Sequence, residues 1–269
     1  MPHAFETLDV TVEARVATVT FRRGDQLNAM NKAMQSEITA AFEALSADAG
    51  VGAIVVTGEG RGFMAGADIK EYAAQSGPEF DAFQRAGERM YRAIEANTKP
   101  VIAAVNGFAL GGGFELVLCC DIVLAAPEAK FGLPEIKLGL VPGGGGTQRS
   151  VEKLGRNRAN HLLMTGAILP AADFVACGLV NDIVPAGELL ARAGEMARLI
   201  AAEPPEAIEG LKRLTSLAVT GERAAGLAAE RDLVCSLYRS EIGQARVQAF
   251  AQKSIARAAE KAAKAAAGG

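Results

Sequence analysis

Short apolar runs that alternate with helical segments are the feature that most constrains the fold of this chain. The runs 52–57 and 101–105 are almost wholly apolar, are bounded by glycine or proline, and are too short for core helices. A third run, 121–125, follows a stretch with helical spacing. Strands that are apolar along their whole length are typical of parallel sheets covered by helices on both faces. The chain up to about residue 180 therefore predicts an α/β core with mostly parallel strands.

The remaining periodicities predict further elements. Alternating residues in the segment 7–21 predict a hairpin of two strands that turns near Ala14. Asn31 is suited to cap a helix that runs to about Asp48. Helical spacing returns over 68–97 with a break at Gly77-Pro78, and the glycine-rich stretch 58–66 predicts a loop.

A shift in composition marks the C-terminal part of the chain. Residues 186–266 are alanine-rich and helical in pattern, with breaks at Pro204-Pro205 and Gly221. We therefore predict a core over 1–185 and a helical C-terminal region over 186–269. The final stretch, 245–267, is typical either of a solvated surface helix or of a helix packed on a neighbouring subunit.

Charge and cysteine content exclude several classes of protein. Among 269 residues, 28 Lys and Arg face 31 Asp and Glu, and this net charge of −3 argues against a nucleic-acid binder or a basic membrane-surface protein. Two histidines and the absence of C-x-x-C spacing argue against a zinc or haem site. No signal peptide and no apolar span of 18 residues is evident, which predicts a cytoplasmic protein. The four thiols are predicted to be buried and reduced: Cys119, Cys120, Cys177 and Cys235.

Two glycine-rich loops, 63–70 and 109–115, each lead directly into a helical segment. The start of a helix presents unpaired backbone N–H groups and the positive end of the helix dipole. Two such starts that face each other would bind one oxygen on which negative charge develops, as an oxyanion hole does. Neither 111–113 nor 143–146 has the spacing of a nucleotide-binding loop. The alternative is that both loops are ordinary helix entries.

Glu115 and Glu135 are the candidate acid–base groups. Glu115 lies in the first turn after the second loop, among Phe114, Leu116 and Val117. Glu135 follows Pro134, beside Leu133, Ile136 and Leu138. A carboxyl in apolar surroundings has a raised pKa and can exchange protons near neutrality. The alternatives are a glutamate favoured by the helix dipole and a solvent-exposed loop glutamate.

The motifs at 63–70, 99–107, 110–116, 120–122, 131–135 and 139–149, in their order and spacing, resemble the crotonase superfamily, also called the enoyl-CoA hydratase/isomerase family. The resemblance extends from the first hairpin through most of the C-terminal helices. It implies a crotonase (ClpP-like) ββα spiral core, with the C-terminal helices covering the active site and joining subunits into a trimer or a dimer of trimers. It also places the segment 71–90 along the acyl chain.

The resemblance implies roles for particular residues. The N–H groups of Ala67 and Gly112 would form the oxyanion hole, Glu115 and Glu135 would be the catalytic carboxyls, and Gly143 would help to hold the attacking water. Isomerases of the family typically keep only the counterpart of Glu135, so both carboxyls together favour hydration of a trans-2-enoyl-CoA in fatty acid β-oxidation.

The resemblance also implies how coenzyme A is bound. Ala65, Asp68, Ile69 and Lys70 would contact it, with no metal and no separate cofactor, because coenzyme A is part of the substrate. Asp25 departs from the family pattern, which often has a phosphate-binding lysine there, and Arg22 or Arg23 could substitute.

Two other functions stay open at this point. One is another CoA reaction at the same site, such as isomerisation or a carnitinyl-CoA-type dehydration. The other is a scaffold or RNA-binding role without catalysis, which the two carboxyls and the absence of a basic stripe disfavour.

Overall fold

Successive strand–strand–helix units build the core of the structure, a computed structural model that describes residues 5–252. In three of the units, the first strand joins a large sheet, the second joins a small sheet, and a helix follows. The strands are β1 (Leu8–Glu13), β2 (Val16–Phe21), β3 (Ala53–Gly58), β4 (Gly62–Met64), β5 (Val101–Val105), β6 (Phe108–Leu110), β7 (Ile122–Ala125), β8 (Lys130–Gly132), β9 (Ile168–Pro170) and β10 (Asp182–Ile183). The helices are α1 (Lys32–Ala47), α2 (Ile69–Ala73), α3 (Gly77–Glu95), α4 (Gly112–Cys119), α5 (Gly146–Leu154), α6 (Arg156–Thr165), α7 (Leu189–Ala201), α8 (Pro205–Thr220) and α9 (Arg223–Arg239).

The two sheets differ in size and share a mostly parallel pairing. The large sheet has the order β1-β2-β3-β5-β7-β10, and only its β1–β2 pair is antiparallel. The small sheet has the order β4-β6-β8-β9, with β4, β6 and β8 parallel to one another. The α/β spiral predicted from the sequence is confirmed.

The central strands β3 and β5 are buried on both faces, which explains why they have no polar face, whereas the edge strand β1 is largely exposed. On one face, β3 and β5 pack with α1, α3 and α4 in the main core. On the other face, Val55 and Ile102 pack with the alanine stripe of α7, which includes Ala193 and Ala197. A Cβ built on Gly52 would lie 2.8 Å from the Cβ of Ala201, so glycine allows α7 to approach the sheet closely.

The hairpin turn, the helix cap and the helices predicted from local sequence signals are present in the structure. Ala14 and Arg15 turn the first hairpin with φ values of 48° and 65°, the left-handed conformation that tight hairpins require. The side chain of Asn31 accepts a hydrogen bond of 2.9 Å from the N–H of Met34 and so caps α1. The predicted helix over 68–97 divides into α2 and α3, with the break at Gly77.

The strands of the small sheet were not predicted from the sequence. The stretch 58–66, predicted as a loop, contains β4, and β6 and β8 lie in segments that show no strand pattern. Each has three residues, too few for a period of two to stand out. The cysteine prediction needs a correction as well, because Cys177 is half-buried and Cys235 is exposed.

The described residues divide after Glu203 into two compact units. The first therefore includes α7, which the sequence analysis groups with the C-terminal helices. In the second, Gly210 lets α8 pack closely against Leu233 of α9. The predicted helix over 245–267 lies largely outside the described residues. Among the residues described, no helix is both long and apolar enough to cross a membrane.

Candidate active site

The small sheet brings three loops together. The strands β4, β6 and β8 are parallel neighbours, with Met64 paired to Ala109 and Leu110 paired to Gly132. Their carboxyl ends therefore lie at one edge of the sheet. The segments that follow are 65–67, 111–112 and 133–135, which contain the predicted oxyanion residues and Glu135. Ligands commonly bind at the carboxyl ends of parallel strands, where loops converge.

The first loop leaves the N–H of Ala67 without a partner in the part of the chain that the structure describes. Its two neighbours are fixed by Met30, whose N–H donates to Gly66 at 2.7 Å and whose carbonyl accepts from Asp68 at 2.8 Å. Because alternate backbone groups of an extended segment point to opposite sides, the N–H of Ala67 points away from Met30. It has no hydrogen-bond partner within the described residues.

The second loop supplies a matching donor. Gly111 has a φ of 50° and allows the chain to turn directly from β6 into α4. Gly112 begins α4, and its N–H is likewise unpaired in the described part of the chain. A Cβ built on Gly111 would lie 3.8 Å from the Cα of Gly66, so the two loops run side by side. These two N–H groups form the candidate oxyanion hole.

Glu115 lies in α4, and its carboxylate is held by the backbone at the start of α5. It is 3% exposed, and its Oε1 accepts hydrogen bonds of 2.7 Å from the N–H groups of Gly144 and Gly146. Burial raises the pKa of Glu115, whereas the two N–H groups oppose that rise by stabilising the carboxylate. A buried carboxylate with two backbone donors is suited to accept a proton while keeping a fixed position.

Two side chains that the sequence analysis did not assign hold the loop around Gly144. Arg149 donates to its carbonyl at 2.6 Å and pairs with both carboxylate oxygens of Glu95 at 2.8 and 2.7 Å. Tyr91 fills the space beside Gly144, and its hydroxyl donates to the carbonyl of Gly112 at 3.0 Å. Tyr91 thus links the Glu115 loop to the candidate oxyanion hole. A tyrosine on the apolar face of α3 was the available sequence signal.

Glu135 faces the same space from the third loop. A Cβ built on Gly111 would lie 2.9 Å from its Oε1, and its Oε2 is buried without a partner among the described residues. Burial, with the charge of Glu115 as a smaller cause, raises the pKa of Glu135 to about 7. Leu133 is buried as expected, but Ile136 and Leu138 are exposed, so the loop and not its whole apolar run buries the carboxyl.

A cavity of about 320 Å³ joins these groups. Both glutamates, Ala67, Gly112 and Gly143 line it, so the structure brings together the predicted catalytic, oxyanion and water-positioning residues. No cluster of three or more metal-ligating side chains occurs within residues 5–252.

The predicted coenzyme A residues divide into two groups. Ala65 and Ile69 line the cavity, whereas Asp68 and Lys70 do not. The Asp68 side chain caps α2 and pairs with Arg23 at 2.8 Å, and the hydrogen bond from Arg23 lowers the pKa of Asp68. Arg23 also donates to the carbonyl of Ala29. This arginine, considered above as a phosphate ligand, is therefore occupied within the protein.

The other candidate, Arg22, is half-exposed on the outer side of the same region. It pairs with Glu59 at 3.2 Å and with Asp9 at 3.8 Å. Exposed ion pairs of this kind are weak and exchange readily, so Arg22 is the freer of the two arginines to meet a phosphate.

The arrangement defines a class of enzyme. The N–H groups of Ala67 and Gly112 can stabilise an enolate oxygen, and two carboxyls in different environments can move protons to and from the adjacent carbons. This is acid–base chemistry on a carbonyl compound.

Comparisons with known proteins give the particular family. The chain belongs to the enoyl-CoA hydratase/isomerase family, whose model matches residues 11–260. It is 37% identical to the crotonyl-CoA hydratase of Syntrophomonas wolfei over 93% of this chain and 96% of that protein. It is 36% identical to the 2,3-dehydroadipyl-CoA hydratase of Escherichia coli K12, over 91% and 96%. The solved enoyl-CoA hydratase of Bacillus anthracis superposes with a TM-score of 0.89 at 32% identity, over 92% and 97%. These similarities confirm the resemblance and the predicted enzyme class, a hydro-lyase of the enoyl-CoA hydratase type.

Proposed function

We propose that this chain adds water to trans-2-enoyl-CoA thioesters through Glu115 and Glu135. The observation that carries the proposal is that both carboxyls face one cavity with the N–H groups of Ala67 and Gly112, which have no partner among the residues described. The thioester oxygen accepts from these two donors. Charge moves onto that oxygen as the enolate forms, so the donors stabilise the transition state more than the ground state.

The two carboxyls divide the proton transfers. Ionised Glu115 takes a proton from a water molecule, whose oxygen forms a bond to the β-carbon. Glu135, which holds its proton up to about pH 7, gives that proton to the α-carbon. The N–H of Gly143 helps to hold the water. The product is a 3-hydroxyacyl-CoA, and the proton on Glu115 returns to Glu135 by way of solvent.

Coenzyme A is proposed to lie across the loop that precedes α2. The backbone of Ala65 would contact the adenine, Ile69 would pack on the carrier, and Lys70 would meet its phosphates. Asp68 would act through the backbone, since its carboxylate is occupied by Arg23. The proposed assembly is a trimer or a dimer of trimers in the cytoplasm.

The test is the turnover of crotonyl-CoA by the wild type, Glu115→Gln and Glu135→Gln. The reaction is monitored through the loss of the enoyl-thioester absorbance. Each variant should lose about 10²- to 10⁴-fold in kcat, because a positioned acid or base contributes about that much. The amide oxygen of Glu115→Gln can still accept from Gly144 and Gly146, which protects the fold. A wild type that is inert on crotonyl-CoA and on longer enoyl-CoAs would contradict hydration, and 3-enoyl-CoAs would then test isomerisation.

A further inference from the structure

Several polar side chains line the cavity but have no part in the proposed reaction. Its open side carries exposed apolar residues, with Ile69 57% and Leu138 60% exposed. Its opposite side is formed by α1 and α3, through Gln35, Phe83 and Gly87. Coenzyme A is bulky and charged and would stay on the open side, so the acyl chain would point towards α1 and α3.

Gln35 is the deepest of these polar groups. It is 2% exposed, and its side-chain amide makes no hydrogen bond with any residue that the structure describes. Gly87 opens the wall in front of it, because a Cβ built there would lie 3.0 Å from Nε2 of Gln35. Gln35 and Phe83 also line a groove on the outer side of α1 and α3, so they form the wall at the inner end of the cavity. The amide therefore has a donor and an acceptor available for a ligand group in the cavity.

Tyr72 and Gln84 add a second polar group. The Nε2 of Gln84 donates to the Tyr72 hydroxyl at 3.1 Å, and both side chains line the cavity. The Oε1 of Gln84 has no partner within the described range 5–252, which leaves an acceptor free. Gly143 makes room for it, since a Cβ built there would lie 2.3 Å from that oxygen.

The charges around the cavity restrict what these amides can bind. Glu115 and Glu135 line it and repel a second carboxylate. Among its described lining residues, the only cation is Lys137, which is exposed beside Leu138 on the open side. Amides offer a donor and an acceptor without charge, so they suit a neutral polar group.

We propose that Gln35 and Gln84 form a hydrogen-bonding subsite for an uncharged hydroxyl or oxo group on the acyl chain, beyond the double bond. The enzyme would then prefer enoyl-CoAs that carry such a group over plain alkenoyl-CoAs of equal length. This inference rests on the proposed hydration, because that reaction places the acyl chain in the cavity. Without the substrate's polar group, the Gln35 amide and the Oε1 of Gln84 have no partner among the described residues, which is how a polar site disfavours an apolar analogue.

The experiment compares kcat/KM for trans-2-hexenoyl-CoA with its 5-hydroxy and 6-hydroxy derivatives and with 2,3-dehydroadipyl-CoA. The wild type should favour one hydroxy derivative over hexenoyl-CoA by about 3- to 10-fold, the range of one neutral hydrogen bond, and should disfavour the charged adipyl compound. Gln35→Leu should abolish or reverse the preference. Gln75→Leu is the matched control, because its buried amide also lacks a partner among the described residues but does not line the cavity.

A second variant guards against a loss of folding. Gly87→Ala adds no polar or charged group and crowds only the Gln35 amide, so it should reduce the preference while hexenoyl-CoA is still turned over. Equal rates on hexenoyl-CoA and both hydroxy derivatives would overturn the subsite and leave hydration standing. A preference for the adipyl compound would overturn it in favour of an anionic tail. Turnover of none of the four would overturn both proposals.

Discussion

Among single residues, the two glutamates lie in environments that suit the two different roles proposed for them. Glu115 is almost fully buried but receives two backbone N–H donors, which favour its ionised form. Glu135 has a buried oxygen without any partner in the described structure, which favours its protonated form. Pairs of carboxyls whose environments differ in this way serve as base and acid.

This division predicts a bell-shaped pH profile for hydration. The proposed mechanism requires ionised Glu115, so kcat/KM should fall as the pH drops through the raised pKa of this carboxyl. Activity also requires protonated Glu135, so kcat/KM should fall about tenfold per unit as the pH rises above about 7. The measurement is initial rates on crotonyl-CoA from pH 4.5 to 9.5.

The reverse reaction is the control for the pH profile. The two carboxyls hold one proton between them in both directions, so dehydration of the 3-hydroxyacyl-CoA should follow the same curve. A rate that stays constant from pH 6 to 9 would show that Glu135 is not the proton donor.

At the scale of elements, the site depends on how closely three loops and α3 approach one another. Glycines permit that approach where a Cβ would meet another atom. A Cβ on Gly144 would lie 2.0 Å from Cε2 of Tyr91, and one on Gly113 would lie 1.9 Å from the carbonyl oxygen of Met64. Contacts under 3.0 Å force the backbone or its neighbour to move.

Gly144→Ala should therefore displace the loop that holds Glu115. We expect kcat for hydration to fall by about 10²-fold or more, because a shift of about 1 Å at a catalytic group can cost that much. KM should change less, since Ala65 and Ile69 lie on other segments. Gly77→Ala is the control, because nothing lies within 4 Å of a Cβ built there. Wild-type kcat for Gly144→Ala would mean that this loop does not position Glu115.

At the scale of the whole molecule, the described lining of the cavity lies between Met30 and Gly144, within the first compact unit. The second unit leaves apolar side chains uncovered: Leu227 and Val234, one above the other on α9, are 58% and 59% exposed. Exposed apolar patches commonly mark contacts between proteins. This supports the proposal that the C-terminal helices join subunits.

Charges on that face should break the assembly. We expect the wild type to behave as a trimer or hexamer in light scattering coupled to gel filtration, and Leu227→Glu with Val234→Glu to shift it to a smaller species. A Val12→Glu variant, at a 47% exposed position on β1, should leave the size unchanged. A wild type that is a monomer would contradict the proposal directly.

Elements whose signals are local can be predicted from the amino-acid sequence alone. Asn31 caps α1, Ala14 and Arg15 turn the hairpin, and the apolar runs become the buried strands β3, β5 and β7, because each signal acts within a few residues. It also carried the motifs that identify the family, including both glutamates and the two glycine loops. These features depend only on neighbouring residues, so they can be recognised without knowledge of the fold.

How those residues meet depends on the folded chain. The strands β4, β6 and β8 have three residues each and form because they pair with one another, so no local pattern marks them. Their parallel pairing places Ala67, Gly112 and Glu135 at one edge. The contacts of Arg149 with Glu95 and of Tyr91 with Gly112 join segments far apart in the chain. The same is true of the approach of Gly87 to Gln35, which brings the Gln35 amide to the cavity. Such non-local pairings depend on packing, which a single sequence does not display.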